Sequence, residues 1–115
     1  MLYGVRTYTC RPGTISKHMA MYAEFGYDTQ RRHLGEPIVY LQTETGDVNS
    51  YMHIWVFANA ADRELKRGNM KLDPKWIDYM KKSADAAYLI KQENTLMASA
   101  SFFKAPDHAK NISSL

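Results

Sequence analysis

Tyr51-Met52-His53-Ile54-Trp55-Val56-Phe57 is the most apolar and aromatic run of this 115-residue chain, and it embeds one imidazole. Read as a strand, it sends Met52, Ile54 and Val56 to one side and Tyr51, His53, Trp55 and Phe57 to the other. Neither side is polar enough to face water. A strand of this kind sits inside a sheet that is covered on both faces, and the rest of the chain is read from that requirement.

Immediately upstream, Ile38 to Thr45 reads as a second strand, with Gly46-Asp47 as a tight antiparallel connection. At the start of the chain, Leu2 to Thr9 is rich in β-branched and aromatic residues and is stopped by Arg11-Pro12-Gly13. Thr14 or Ser16 then caps a helix with Ile15, Met19, Tyr22 and Phe25 or Gly26 on its apolar face, fading through Gln30-Arg31-Arg32-His33 to a stop at Gly35. Downstream, Asn59 and Asp62 form an acidic capping box for a helix from Ala60 to Arg67, with a break expected at Gly68-Asn69. Asp73-Pro74 restarts it, with Trp76, Ile77 and Met80 on the buried side. Tyr88 to Met97 is a fourth strand, less apolar and therefore nearer an edge. Residues 1–98 make one domain, and 99–115 a tail anchored by Phe102 and Phe103.

The order strand, helix, strand, strand, helix, strand predicts an α+β fold. It is the ferredoxin-like βαββαβ sandwich, an antiparallel four-stranded sheet of order 4-1-3-2 with its helices on one face. Nothing in the chain is left to cover the other face. A second copy is the economical cover, so a homodimer joined through sheet faces is expected.

Composition excludes several classes. Fifteen Lys and Arg against 12 Asp and Glu give a net charge of only +3, with the basic residues dispersed, which is not a nucleic-acid footprint. No run approaches the roughly 18 apolar residues of a membrane span. The opening Met1-Leu2-Tyr3-Gly4-Val5-Arg6 reads as structure rather than as a targeting leader. A single cysteine, Cys10, rules out an intrachain disulfide and points to a reducing cytoplasm. The Asn111-Ile112-Ser113 triplet carries no weight as a glycosylation signal in that setting.

Several stretches are also similar to the NIPSNAP family. They are Leu2-Tyr3-Gly4-Val5-Arg6-Thr7-Tyr8-Thr9 with Arg11-Pro12-Gly13-Thr14, His33-Leu34-Gly35, Thr43-Glu44-Thr45-Gly46, His53-Ile54-Trp55, Ala61-Asp62-Arg63-Glu64 and Asp73-Pro74-Lys75-Trp76. The resemblance runs to about Met97 in matching order. It implies a dimeric α+β barrel, in agreement with the two-sided strand, and kinship by fold with cofactor-free monooxygenases, haem-degrading monooxygenases and small isomerases. Fold kinship does not assign a reaction.

Strand parity groups the chemistry. Arg6 and Tyr8 share a face of strand one, His53 and Trp55 one of strand three, and the resemblance places these faces toward the helices. Together they offer a cation, a phenol, an imidazole and an aromatic wall, suited to an anionic or enolic aromatic ligand. His53 is the candidate acid or base, with Arg6, Tyr8 and Trp55 as ligand-binding residues. The alternative is a non-catalytic binding or interaction module in which the cluster is structural, with Arg6 paired to Glu24, Glu44 or Glu93. His18 and His33 are expected at the solvent or as helix caps, and His108 in the tail. No glycine-rich phosphate loop and no metal-binding triad is present in the sequence, so no cofactor is expected. Haem is disfavoured because Ala60 to Ser83 holds no His to ligate it.

Overall fold

The computed structural model describes residues 1–104. The remainder of the expected tail, with His108 and the Asn111-Ile112-Ser113 triplet, lies outside the described residues. Strands β1 (Leu2–Cys10), β2 (Val39–Gln42), β3 (Ser50–Phe57) and β4 (Leu89–Ala98) alternate with helices α1 (Ile15–Phe25), α2 (Tyr27–Leu34), α3 (Ala60–Leu72) and α4 (Pro74–Ala86). The sheet is antiparallel in the order β2-β3-β1-β4. That is the ferredoxin-like α+β sandwich, with each expected helix realised as a pair.

The opening run is indeed internal to the sheet. Tyr51, His53, Trp55 and Phe57 are only 1–3 % exposed, because the helices close over their side. Leu34 of α2 and Met70 of α3 pack with Trp55 and Phe57 into the apolar core, with Tyr40 and Trp76 at its margin. Burying a ring such as Phe57 contributes about 1.5–3 kcal/mol. Met52, Ile54 and Val56 remain half-exposed, as do Tyr3, Val5 and Thr7 beside them, because none of the described helices covers the outer face.

Register lines up the inner face in rows. Tyr40, His53, Arg6 and Asn94 lie side by side across the four strands, and Gln42, Tyr51, Tyr8 and Gln92 form the next row. α3 and α4 start at their capping signals, whereas at α1 the Thr14 side chain makes no cap and its hydroxyl donates back to Arg11 O. Asn59 Oδ1 accepts from Asp62 N at 2.8 Å, while Asp62 Oδ2 accepts from Ala58 N, and Asp73 Oδ1 accepts from Lys75 N ahead of Pro74.

Five local expectations need correction. α3 runs through Gly68-Asn69 to Leu72, because Met70 on the next turn is buried in the core and offsets the poor helix propensity of Gly and Asn. The first helix is divided at Gly26, whose missing side chain lets the rings of Tyr22 and Tyr79 approach to where a Cβ would stand, 3.0–3.1 Å away. β2 ends at Gln42, and the connection is the seven-residue stretch 43–49, with Gly46 at φ 111° and Asp47 Oδ1 accepting from Asn49 N. On α4 the buried residue is Tyr79, while Ile77 and Met80 are exposed. Phe102 and Phe103 are also exposed, so the two rings do not anchor the described part of the tail.

Candidate functional site

Between sheet and helices lies a chamber of about 110 Å³. The sheet supplies Arg6 and Tyr8 from β1, Tyr40 from β2, Tyr51 and His53 from β3, and Leu89 and Gln92 from β4. The helices supply Tyr22, Gln30, Arg67, Trp76, Tyr79, Met80 and Ser83. Arg6, Tyr8 and His53 are therefore brought together as strand parity predicts. Trp55 is not on the chamber wall; it is buried behind His53, and Trp76 is the indole that lines the space.

His53 is held from several sides. Its ring stacks on Tyr40 at 4.6 Å and 14°, and meets the edge of Tyr8 at 5.1 Å. Nδ1 accepts a hydrogen bond from Trp55 Nε1 at 2.6 Å. An indole nitrogen can only donate, so this bond fixes the tautomer, and the imidazole proton is on Nε2. Nε2 is buried and has no partner among the described residues. Burial, then the charge of Arg6, then His18, hold the pKa of His53 down to about 3, so the ring is neutral at physiological pH. With Nδ1 occupied, the nitrogen that His53 has left to offer a ligand is Nε2, carrying its proton.

Arg6 Nε donates to Tyr8 Oη at 2.7 Å, and its guanidinium lies 5.5 Å from that ring. The ion pairs considered from sequence with Glu24, Glu44 or Glu93 do not form; Glu93 pairs with Lys91 instead. Tyr22 Oη donates to Gln30 Oε1 at 2.5 Å, whereas the buried Tyr40 hydroxyl has no hydrogen-bond partner among the described residues. Burial raises the pKa of Tyr22, Tyr40, Tyr51 and Tyr79 above the ordinary phenol value, and these hydroxyls stay protonated.

His18 is the clearest departure from expectation. It is fully buried on α1, with Nε2 2.6 Å from Tyr51 Oη, and burial lowers its pKa. Helical spacing counted it as polar, but the partner that makes its burial affordable comes from β3, 33 residues away. His33 Nε2 lies 2.8 Å from Asp73 Oδ2, bridging α2 to the start of α4. Arg67, Tyr40 and Tyr79 were also not assigned to the site from sequence, and Trp76 was read only as a buried position of its helix. Tyr40 was within reach of parity, since it opposes His53 in the β2–β3 pairing; Arg67 was hidden by the helix break expected beside it.

Among the described residues, no cluster of three His, Cys, Asp or Glu could hold a metal ion, and no helix is long and apolar enough to cross a membrane.

Comparison with known proteins agrees with this architecture. The NIPSNAP family model matches residues 3–104. Protein Atu4242 from Agrobacterium tumefaciens is 32% identical, with a TM-score of 0.82 over 89% of this chain and 96% of that one. A NIPSNAP domain protein from Burkholderia xenovorans is 22% identical, with a TM-score of 0.83 over 91% of this chain and 100% of that one. An antibiotic biosynthesis monooxygenase shares the fold at a TM-score of 0.60 and 16% identity, over 87% of this chain and 99% of that one. No curated protein matches the chain.

Proposed function

The chain belongs to the NIPSNAP family, and on that footing we propose that it is a small homodimeric protein that takes a single-ring organic molecule into the chamber between sheet and helices. The observation that carries this reading is the proton on His53 Nε2. Its position is fixed by Trp55, it is buried, and no described group accepts it. A buried donor without an acceptor costs about 1–3 kcal/mol, a cost that a ligand oxygen would remove. The volume agrees in scale: 110 Å³ is somewhat below the roughly 150 Å³ of a cavity known to admit benzene, and so suits one ring.

Kinship by fold with a monooxygenase leaves the reaction open. In an enzyme of this type, His53 would stabilise an oxyanion developing on a phenol or enol, with Arg6 and Tyr8 adding donors, and oxygen as a second substrate in a cofactor-independent oxidation. The second reading is a binding module without turnover. The stacking of His53 on both Tyr40 and Tyr51 favours it, since stacking alone gives the ring a structural role. The dimer forms through the outer face, where Tyr3, Val5, Met52, Ile54 and Val56 are half-covered. A reducing compartment such as the cytoplasm suits the single buried thiol of Cys10.

The reading is tested by thermal shift with phenol, benzoate and benzamide. A rise in melting temperature with at least one of them, lost in His53→Leu, is the expected result. No rise with any single-ring probe would overturn it.

A further inference from the structure

The chamber carries positive charge with nothing inside to balance it. Arg6 reaches it from the sheet and Arg67 from α3 in the opposing layer. Among the described residues, neither guanidinium lies within salt-bridge distance of a carboxylate. Among the described residues, no Asp or Glu lines the chamber. Arg6 spends its Nε on Tyr8, and no described side chain accepts from its terminal amino groups. Burial, followed by the charges of Arg6 and Arg63, lowers the pKa of Arg67, so its charge is kept there against both desolvation and repulsion.

A second shortage accompanies the missing counterion, because among the described residues the chamber wall holds no carboxylate and no free imidazole nitrogen to take up a proton. Tyr22, Tyr40, Tyr51 and Tyr79 are held in the protonated form, His53 Nδ1 is occupied by Trp55, and no described carboxylate stands on the wall. A ligand that must be deprotonated by the protein would find no base. One that arrives already ionised would find two arginines and a neutral imidazole N–H.

The geometry points to an oxyanion borne on a single flat ring as the ligand class, its charge held by Arg6 and Arg67 and a neighbouring oxygen accepting from His53 Nε2–H. The assignment rests on the chamber being a ligand site, and it adds that the ligand is bound as the anion. Carboxylates and phenolates share this chemistry, and a pair of probes separates them.

The first arm uses the unaltered protein and isothermal calorimetry. Benzoate binds at least about tenfold more tightly than benzamide, its uncharged counterpart, and added salt weakens benzoate alone. In the second arm, 4-nitrophenol is titrated by absorbance with and without protein. Bound probe shows the phenolate band at least about one pH unit below free probe. A preference for benzoate without this displacement narrows the class to carboxylates, and the displacement without that preference narrows it to phenolates. In the third arm, Arg67→Met and Arg6→Met each lower the ratio of benzoate to benzamide affinity about tenfold, while Arg67→Lys keeps part of the preference. Equal binding of benzoate and benzamide together with an undisplaced nitrophenol titration would overturn the anion assignment while leaving the chamber as a neutral-ring site. No binding of any probe would remove both readings together.

Discussion

The indole N–H of Trp55 and the Nδ1 of His53, two residues apart on the same strand, are joined by a 2.6 Å hydrogen bond that decides which imidazole nitrogen carries the proton. Trp55→Phe removes the donor and keeps most of the ring. The buried Nδ1 then loses its partner, and stability should fall by about 1–3 kcal/mol in chemical denaturation. Nitrogen NMR of the imidazole should show a single Nε2–H tautomer in the parent and a mixture in the variant. A single unchanged tautomer in the variant would remove Trp55 from this role.

The depressed pKa of His53 makes acid destabilising well above the carboxylate range. The unfolded chain takes up a proton near the ordinary value of 6.5, whereas the folded ring refuses it until about pH 3. The unfolded state thus binds more protons throughout that window, and stability rises with pH across it. The contribution is complete above pH 6.5 and declines on acidification by up to about 1.4 kcal/mol per pH unit until the folded ring itself titrates. His18, lowered by burial, acts in the same direction. Denaturation midpoints between pH 7 and 4 should follow this slope, and His53→Gln should flatten it. The same slope in the variant would assign the effect elsewhere.

Ala87 closes α4 at φ 54°, in the left-handed region, where its N–H bonds Ser83 O and its carbonyl accepts from Arg11 Nε at 2.8 Å. A Cβ is disfavoured in that conformation. Ala87→Gly should therefore stabilise the protein by about 0.5–1 kcal/mol, measured by thermal or chemical unfolding. A loss of stability would show that the greater freedom of glycine in the unfolded chain outweighs the relief.

Ile54 sits at the centre of the outer sheet face, paired with Val5 on one side and Val39 on the other. Ile54→Glu should yield a monomer by light scattering at micromolar concentration where the parent is a dimer, with the far-ultraviolet dichroism unchanged. A parent that is itself monomeric would refute the dimer, and a dimeric variant would place the interface elsewhere.

The fold was legible because its signals are local. The alternation in Tyr51–Phe57 and the caps at Asn59 and Asp73 each need only a few neighbouring residues, and their order along the chain selects the topology. The site was legible only as far as parity reaches. Arg6, Tyr8 and His53 follow from alternation along two strands, and Tyr40 needed the register of a hairpin whose turn is longer than its Gly46-Asp47 signal suggests. Arg67 and His18 depend on contacts between layers. A buried histidine is indistinguishable from a surface one until the tyrosine opposite is known, and a chamber arginine looks like any helix-surface cation until its missing carboxylate is noticed.

Alternation along β3 also determines how the protein tolerates change. A substitution at His53 acts on the inner face and one at Ile54 on the outer face, so the two faces are reached through different positions of one strand. Inserting or deleting a single residue between Ser50 and Phe57 would carry the imidazole outward and an aliphatic inward at one stroke. The stretch 43–49, which lies beyond the end of β2, can change length without moving that alternation. Diversity in this scaffold therefore has two separate channels along β3, one point substitution at a time, with length variation confined to the loop that precedes it.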